Sequence, residues 1–178
     1  MPCAVAGLIL AIVLCSVSIS FIVSKLQQNT FLQLKLCVGS SITKDMTELV
    51  VPSNRCNSRL IKTVDLSLFP QLKSIKIGDE CFEKVNEVKL IGLNQLERVV
   101  IGMSSFTKNK TSAGYNTNRK LYVKNCDALK ELKIGRYSFS DYSVIEIENV
   151  NSLELIEMGE VNTESYNFYF ASLELKSE

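Results

Sequence analysis

Histidine and tryptophan are absent from the 178 residues, and there are only three prolines and eight glycines. Without His the chain lacks the usual general base, the usual partner of a nucleophilic Ser or Cys, and the commonest metal ligand. The low Pro and Gly content excludes a collagen-like or proline-rich linker chain. An excess of one charge is missing too. Twenty Lys and Arg against 19 Asp and Glu leave a net +1, which supplies no field for nucleic acid or anionic lipid. A hydrophobic share of 46% at that charge excludes a disordered chain. The length holds one domain, or one domain with a membrane segment.

Chemical motifs are equally scarce. No G-x-x-x-x-G-K-[ST], G-x-G-x-x-G or G-x-S-x-G occurs. Ser104, Ser105 and Ser138 have no His to activate them. Asp79 with Glu80, and Glu146 with Glu148, fall on expected bends or outer faces, not in a buried acid–base pair or a calcium loop. Among Cys3, Cys15, Cys37, Cys56, Cys81 and Cys126 there is no C-x-x-C pair, so a zinc site lacks its spacing. Cys81 and Cys126 take apolar or small positions and read as buried thiols. Cys37 and Cys56 flank a loop of ordinary length and could form a disulfide if the domain lies outside the cell. The expectation is a non-enzyme with no catalytic residue, metal or cofactor, and with no nucleic-acid or small-molecule partner.

Charge is wholly missing from Pro2 to Ser24. An apolar helix of about 20 residues spans the roughly 30 Å hydrocarbon core. Ser16, Ser18, Ser20 and Ser24 can bond back to helix carbonyls. Residues 1–24 therefore read as a transmembrane or signal-anchor helix, giving a single-pass membrane protein with its membrane contact through 2–24. A cleaved signal peptide is the alternative, giving a secreted or cell-surface protein; no basic residue precedes the run, and it is long for an h-region. A buried piece of a larger parent protein is the third option. Lys25, Lys35 and Lys44 follow the run and favour a cytosolic C-terminal domain. Asn109-Lys110-Thr111 is a glycosylation acceptor at Asn109 only if that domain is lumenal. The two signals conflict.

What the chain does have is a repeat. Leu72-Lys-Ser-Ile75-Lys-Ile77-Gly78, Leu96-Glu-Arg-Val99-Val-Ile101-Gly102, Leu129-Lys-Glu-Leu132-Lys-Ile134-Gly135 and Leu153-Glu-Leu-Ile156-Glu-Met158-Gly159 align as L-x-x-I-x-I-G, with steps of 24, 33 and 24. A V-x-L element stands eight residues before each Leu: Val64–Leu66, Val88–Leu90, Leu121–Val123 and Ile145–Ile147. An aromatic follows the Gly by four in Phe82, Phe106 and Phe139. Period two makes these segments strands with one apolar face. One coil hides that face only when another stacks on it, so parallel ladders from i to i+24 are expected, Ile77 beside Ile101. The glycines mark sharp bends suited to positive φ, and each Phe plugs the far bend. Outward residues alternate in sign down Lys73, Glu97, Lys130 and Glu154, and Arg98 stands beside Glu131. The competing fold is an antiparallel sandwich with a hairpin across Gly78–Glu87.

These segments and the Phe column, over roughly Leu60 to Met158, resemble leucine-rich-repeat proteins. The likeness is greatest to the divergent, roughly 24-residue type of expanded protist families and BspA-like surface proteins. The family's Asn is mostly missing from this repeat, Cys126 fitting that slot best. The resemblance implies a β-rich solenoid of the α/β type with parallel strands, which the uncharged run of residues 1–24 precedes as an N-terminal hydrophobic helix. It implies a protein-binding role and no catalytic residue.

Residues 60–178 make that solenoid. Residues 25–59 read as a degenerate N-terminal coil, with strands at Phe31–Leu36 and Thr47–Val51. Leu173-Glu-Leu175 matches a last V-x-L, an open edge whose charges discourage pairing. The nine-residue excess of the middle step lies within 107–120, a polar and basic stretch carrying Lys108, Lys110, Tyr115, Arg119 and Lys120. Insertions in solenoids gather on one face, often a binding face. The expected partner is therefore a protein with acidic groups, met by Lys73, Arg98 and Lys130 or by the 107–120 loop. A structural or adhesive surface component is the alternative.

Overall fold

A computed structural model of the chain describes residues 18–22, 24–25, 28–39, 41–108 and 118–177. The L-x-x-I-x-I segments become β1 (Glu48–Val51), β3 (Ser74–Ile77), β5 (Arg98–Ile101), β7 (Glu131–Ile134) and β9 (Leu155–Met158), one parallel front sheet in that order. The V-x-L elements become β2 (Thr63–Asp65), β4 (Glu87–Ile91), β6 (Lys120–Lys124), β8 (Val144–Glu148) and β10 (Ser172–Lys176), a second parallel sheet at the back. Each coil contributes one strand to each sheet, so the chain winds as a β-solenoid of about five turns. Ile77 pairs with Ile101, as period and repeat require. No hairpin crosses Gly78–Glu87, because β3 and β4 lie in different sheets. The expected α/β character is absent from the coils: among the described residues their only helical piece is a 3-10 turn at Leu66–Leu68.

The core lies between the sheets. Ile75, Val99 and Leu132 from the front meet Val88, Leu121 and Ile145 from the back, all buried. Leu72, Leu96 and Leu129 are completely buried beneath the other corner, and Leu153 packs partly against them. Burying one such side chain contributes about 1.5–3 kcal/mol. The Phe column sits as expected. Phe82, Phe106 and Phe139 stack at 4.9 Å with planes within 8° and 5° of parallel. That separation matches the spacing of neighbouring strands, about 4.8 Å. Phe168 extends the stack at 5.7 Å.

The glycines act differently from expectation. Of Gly78, Gly102, Gly135 and Gly159, only Gly159 has positive φ. At Gly102 a Cβ would stand 2.6 Å from the carbonyl carbon of Gly78, and at Gly135 2.6 Å from that of Gly102. Glycine is needed because successive coils touch backbone to backbone. Positive φ falls instead two and four residues later: Glu80 and Phe82 (55° and 58°), Ser104 and Phe106 (55° and 56°), Tyr137 and Phe139 (62° and 58°). Each costs about 1–2 kcal/mol in isolation. The reason is hydrogen bonding. Glu80 donates forward to Met103 O at 2.8 Å, and Phe82 donates backward to Arg55 O at 3.2 Å. Alternating left-handed residues thus turn successive amides toward opposite neighbours, and no buried corner amide is stranded.

At the N-terminal end a helix covers the first coil. Residues 28–38 are helical (α1), not the strand expected at Phe31–Leu36. Leu34 is buried while Leu32 and Leu36 are exposed, which fits a helix, not alternation. Phe31 lies 6.1 Å from Phe69. Cys37 and Cys56 form a disulfide that ties the end of α1 to the first corner. The membrane reading of residues 2–24 falls mostly outside the described residues. Residues 18–22 and 24 are helical and exposed, and among the described residues no helix is long and apolar enough to cross a membrane.

Two glycine substitutions separate close approach from dihedral freedom. Gly92 has φ 68° and open space for a Cβ, and Asn125 and Asn149 occupy the same corner in the next coils. Gly92→Asn is expected to change stability by less than about 0.5 kcal/mol. Gly102→Ala is expected to lower it by about 1–3 kcal/mol through the backbone clash. Denaturant unfolding followed by circular dichroism measures both.

Candidate protein-binding faces

Period two leaves the outer faces of both sheets lined by side chains that the core cannot use. On the front sheet Lys73, Arg98 and Lys130 are exposed. Lys73 and Lys130 stand in one column immediately before the strands, since Glu97 N bonds Lys73 O at 2.8 Å and Lys130 N bonds Glu97 O at 2.9 Å. Among the described residues no ion pair runs down that column. The pairing occurs one column on, where Arg98 Nε meets Glu131 Oε2 at 2.7 Å. Both groups are about half exposed, so the bond is worth under about 1 kcal/mol. Lys76 and Lys133 lie two residues after β3 and β7 begin and belong to the same face, with Lys133 3.3 Å from Glu157. Alternation from Ile75 and Leu132 could have found them.

The described ends of the insertion, 107–108 and 118–120, are not beside these lysines. The insertion leaves the coil after the Phe106 corner, past the C-terminal ends of the front strands. A four-residue strand of about 13 Å separates the two groups. Lys110, Tyr115 and the Asn109 acceptor lie outside the described residues. Lys108 is exposed, and Lys120 is half-buried on the outer face of β6 opposite Glu87.

Arg119 overturns its assignment as a partner-binding residue, because it is fully buried. Its Nη1 reaches Asp141 Oδ1 at 2.8 Å and Phe106 O at 3.1 Å, and its Nη2 reaches Glu83 O at 2.6 Å. The guanidinium also lies 5.5 Å from the ring centre of Tyr142, whose hydroxyl donates to Val85 O at 3.0 Å. The other oxygen of Asp141 accepts from Lys108 N at 3.1 Å. One carboxylate therefore clamps both ends of the insertion. Buried charges persist when paired and hydrogen-bonded in this way, although the Arg119 Nε is buried without a partner among the described residues. Burial pushes the Tyr142 hydroxyl well above its ordinary pKa. Nothing local in the sequence links Arg119 to Asp141, which sits one coil further on.

The side chains with nucleophilic atoms form a structural column. Cys81 Sγ bonds Pro52 O at 3.1 Å, Ser105 Oγ bonds Gly78 O at 2.8 Å, and Ser138 Oγ bonds Gly102 O at 2.7 Å. Asn167 Nδ2 continues the series to Gly135 O at 2.8 Å. The same hydroxyls accept from the preceding coil, Cys81 N to Ser105 Oγ at 3.0 Å and Ser105 N to Ser138 Oγ at 2.9 Å. Burial raises the thiol pKa of both Cys81 and Cys126, which keeps them protonated.

On the back sheet Lys124 bridges Glu146 at 2.6 Å and Glu148 at 2.9 Å. The hydrogen bond from Lys124 holds the Glu148 carboxyl below its ordinary range. A groove of about 370 Å3 lies where α1 meets the back sheet, lined by Asn29, Gln33, Leu60, Lys62, Asp65 and Lys89 among others. Lys89 pairs there with Glu87 at 2.9 Å.

Two measurements test these assignments. Arg119→Met leaves Asp141 buried without its partner and is expected to cost about 3–5 kcal/mol of unfolding free energy. Arg119→Met with Asp141→Leu is expected to recover much of it, which a double-mutant cycle reads. Glu148 should titrate below an ordinary Glu by NMR and return to the ordinary range in Lys124→Met. With a depressed folded pKa, its stabilisation is present above the unfolded Glu pKa and is lost as pH falls through the folded one.

Compared with known proteins, the chain matches no family model, no curated protein and no solved structure.

Proposed function

We propose that this chain is a non-catalytic protein–protein interaction module, a leucine-rich-repeat-like solenoid that presents its front sheet to an acidic protein partner. The observation that carries the reading is the front face itself. Lys73, Lys76, Arg98, Lys130 and Lys133 are displayed on strands whose backbones are fixed on both sides by ladders. Rigid display lowers the ordering cost of binding. The buried hydroxyls and thiol, each bonded to a neighbouring carbonyl, argue against a nucleophile. Lys108 and Lys120, at the two ends of the 107–120 loop, are a second proposed point of contact. A structural or adhesive surface component is the other reading, favoured by the exposed apolar side chains of the last coil.

The proposed setting is a membrane tether through residues 2–24, with the solenoid in an oxidising space. The Cys37–Cys56 disulfide supports that side, as does the Asn109 acceptor. It outweighs the basic flank of Lys25, Lys35 and Lys44, since chain orientation can be overridden but a disulfide in a reducing compartment is reduced. A secreted form remains the alternative for a cleaved leader. Protease protection of a C-terminal tag in intact vesicles, with glycosidase treatment, tests this. Protection and a glycosidase-sensitive shift are expected; digestion and no shift would refute it.

Binding is tested by cross-linking in intact cells with mass spectrometry, comparing the native chain with Lys73→Glu/Arg98→Glu/Lys130→Glu. The variant is expected to lose at least one heterologous protein by about tenfold, roughly the loss of 1.4 kcal/mol. Its unfolding midpoint is expected to fall somewhat, because the reversed charges face Glu97, Glu131 and Glu154 in neighbouring coils, so the profiles are compared well below that midpoint. An unchanged cross-linking profile would remove the front sheet as the binding face.

A further inference from the structure

The front sheet carries its charges in an order that changes sign about its own middle. Ladder register lines up three columns across β3, β5, β7 and β9. The column immediately before the strands reads Lys73, Glu97, Lys130, Glu154. The next reads Ser74, Arg98, Glu131, Leu155, and the last Lys76, Val100, Lys133, Glu157. About the line between β5 and β7, Lys73 balances Glu154, Glu97 balances Lys130, Arg98 balances Glu131 and Lys76 balances Glu157. Arg98 already bonds Glu131, and Lys133 lies 3.3 Å from Glu157. Lys73, Lys76, Glu97, Lys130 and Glu154 are exposed and form no ion pair within the chain among the described residues. Their charges are therefore available to a partner.

We infer that a second copy of this chain packs its front sheet against this one, about a two-fold axis parallel to the strands and between β5 and β7. The inference rests on the reading of the front sheet as a binding face and names one occupant of it. Such an axis reverses the order of the coils and keeps the direction of the strands. β3 then faces β9 of the other copy, and β5 faces its β7, column upon column. Lys73 of one copy meets Glu154 of the other, Glu97 meets Lys130 and Lys76 meets Glu157, each twice over by symmetry. The two Arg98–Glu131 pairs close into a ring of alternating charge. Val100 meets the apolar stem of Lys133. Every other arrangement sets like against like. An axis on β5 opposes Lys73 to Lys130, Lys76 to Lys133 and Glu97 to itself. An axis on β7 opposes Glu97 to Glu154 and Lys130 to itself. An axis along the stack opposes Lys73 to Lys76, Lys130 to Lys133 and Glu154 to Glu157. Like-charge juxtaposition across an interface disfavours each of these. All four strands lie inside the described array, so the pairing depends on neither of its ends. The face is small: β3 and β9 are about 14 Å apart, three strand spacings. A stable complex covers about 800 Å2 per partner. The contact is therefore a weak one, and covalent capture reads it best.

The test mixes isotope-labelled and unlabelled full chain in detergent micelles and joins touching amines and carboxylates with a carbodiimide. Linked peptides that carry both isotopes report contact between copies. Mixed-isotope Lys73–Glu154 and Lys76–Glu157 links are expected, and none at Lys89 or Lys124 on the back sheet. Lys73→Glu is expected to lower the mixed-isotope Glu97–Lys130 link at least tenfold, and adding Glu154→Lys to restore it, both compared well below the unfolding midpoint. No mixed-isotope link on the front sheet, equal yields on the back sheet, or indifference to the charge reversal each overturns the proposal. Whether the front sheet binds other proteins is read separately, from its heterologous cross-links in cells.

Discussion

The structure depends on one distance, the spacing of about 4.8 Å between a strand and its counterpart in the next coil. Inside the sheets that spacing is met by ordinary parallel ladders. At the corners the chain must turn while each coil still lies one strand-width from the next. Gly78, Gly102 and Gly135 satisfy this by having no side chain where backbone meets backbone. The left-handed pairs such as Ser104 and Phe106 satisfy it by pointing alternate amides up and down the stack. A bulky residue at positive φ is unfavourable alone. Here the stacked rings of Phe82, Phe106 and Phe139 hold it in place.

The same spacing explains why the hydroxyls of Ser105 and Ser138 are engaged in the stack. Each corner leaves a carbonyl, such as Gly78 O or Gly102 O, that no strand pairs. Ser105 and Ser138 reach those oxygens and simultaneously accept an amide from the coil before. A hydroxyl with donor and acceptor both engaged in the interior cannot serve as a nucleophile without breaking the stack. Among the described residues, stacking leaves free the side chains on the outer faces of the two sheets. The insertion is tolerated because Asp141 binds both its ends, so the coil closes as though the extra residues were absent.

The repeat was legible because apolar spacing is a local signal. Ile75, Ile77, Leu90 and Phe106 each sit where their period puts them, and the parallel register followed from the step between segments. Three features were not legible, each for a physical reason. Phe31-Leu-Gln-Leu34-Lys-Leu36 alternates like a strand, yet Phe31, Leu34 and Val38 also share a helical face, and packing against Phe69 decided the matter. The Gly column looked like a dihedral requirement because the sequence does not show how closely coils approach. Arg119 looked like a surface cation because its partners Asp141, Glu83 and Phe106 come from three separate stretches of chain.

Coils that contact only their neighbours share stability along one dimension, so the ends decide where opening begins. At the N-terminal end α1 contributes Leu34 and Phe31 to the core, and the Cys37–Cys56 bond closes a loop of 19 residues over it. A loop of that size removes about 3 kcal/mol of unfolded-state entropy. Among the described residues the last coil has no such closure. Its β10 is exposed along its whole length, and its corner carries the five extra residues 160–164 relative to the coil before. Tyr166 stacks on Tyr137 at 5.9 Å and Asn167 bonds Gly135 O, so this corner is held while the strand beyond it has one neighbour only. Within the described residues, opening therefore starts at β10 and runs toward the coil that α1 and the disulfide hold closed.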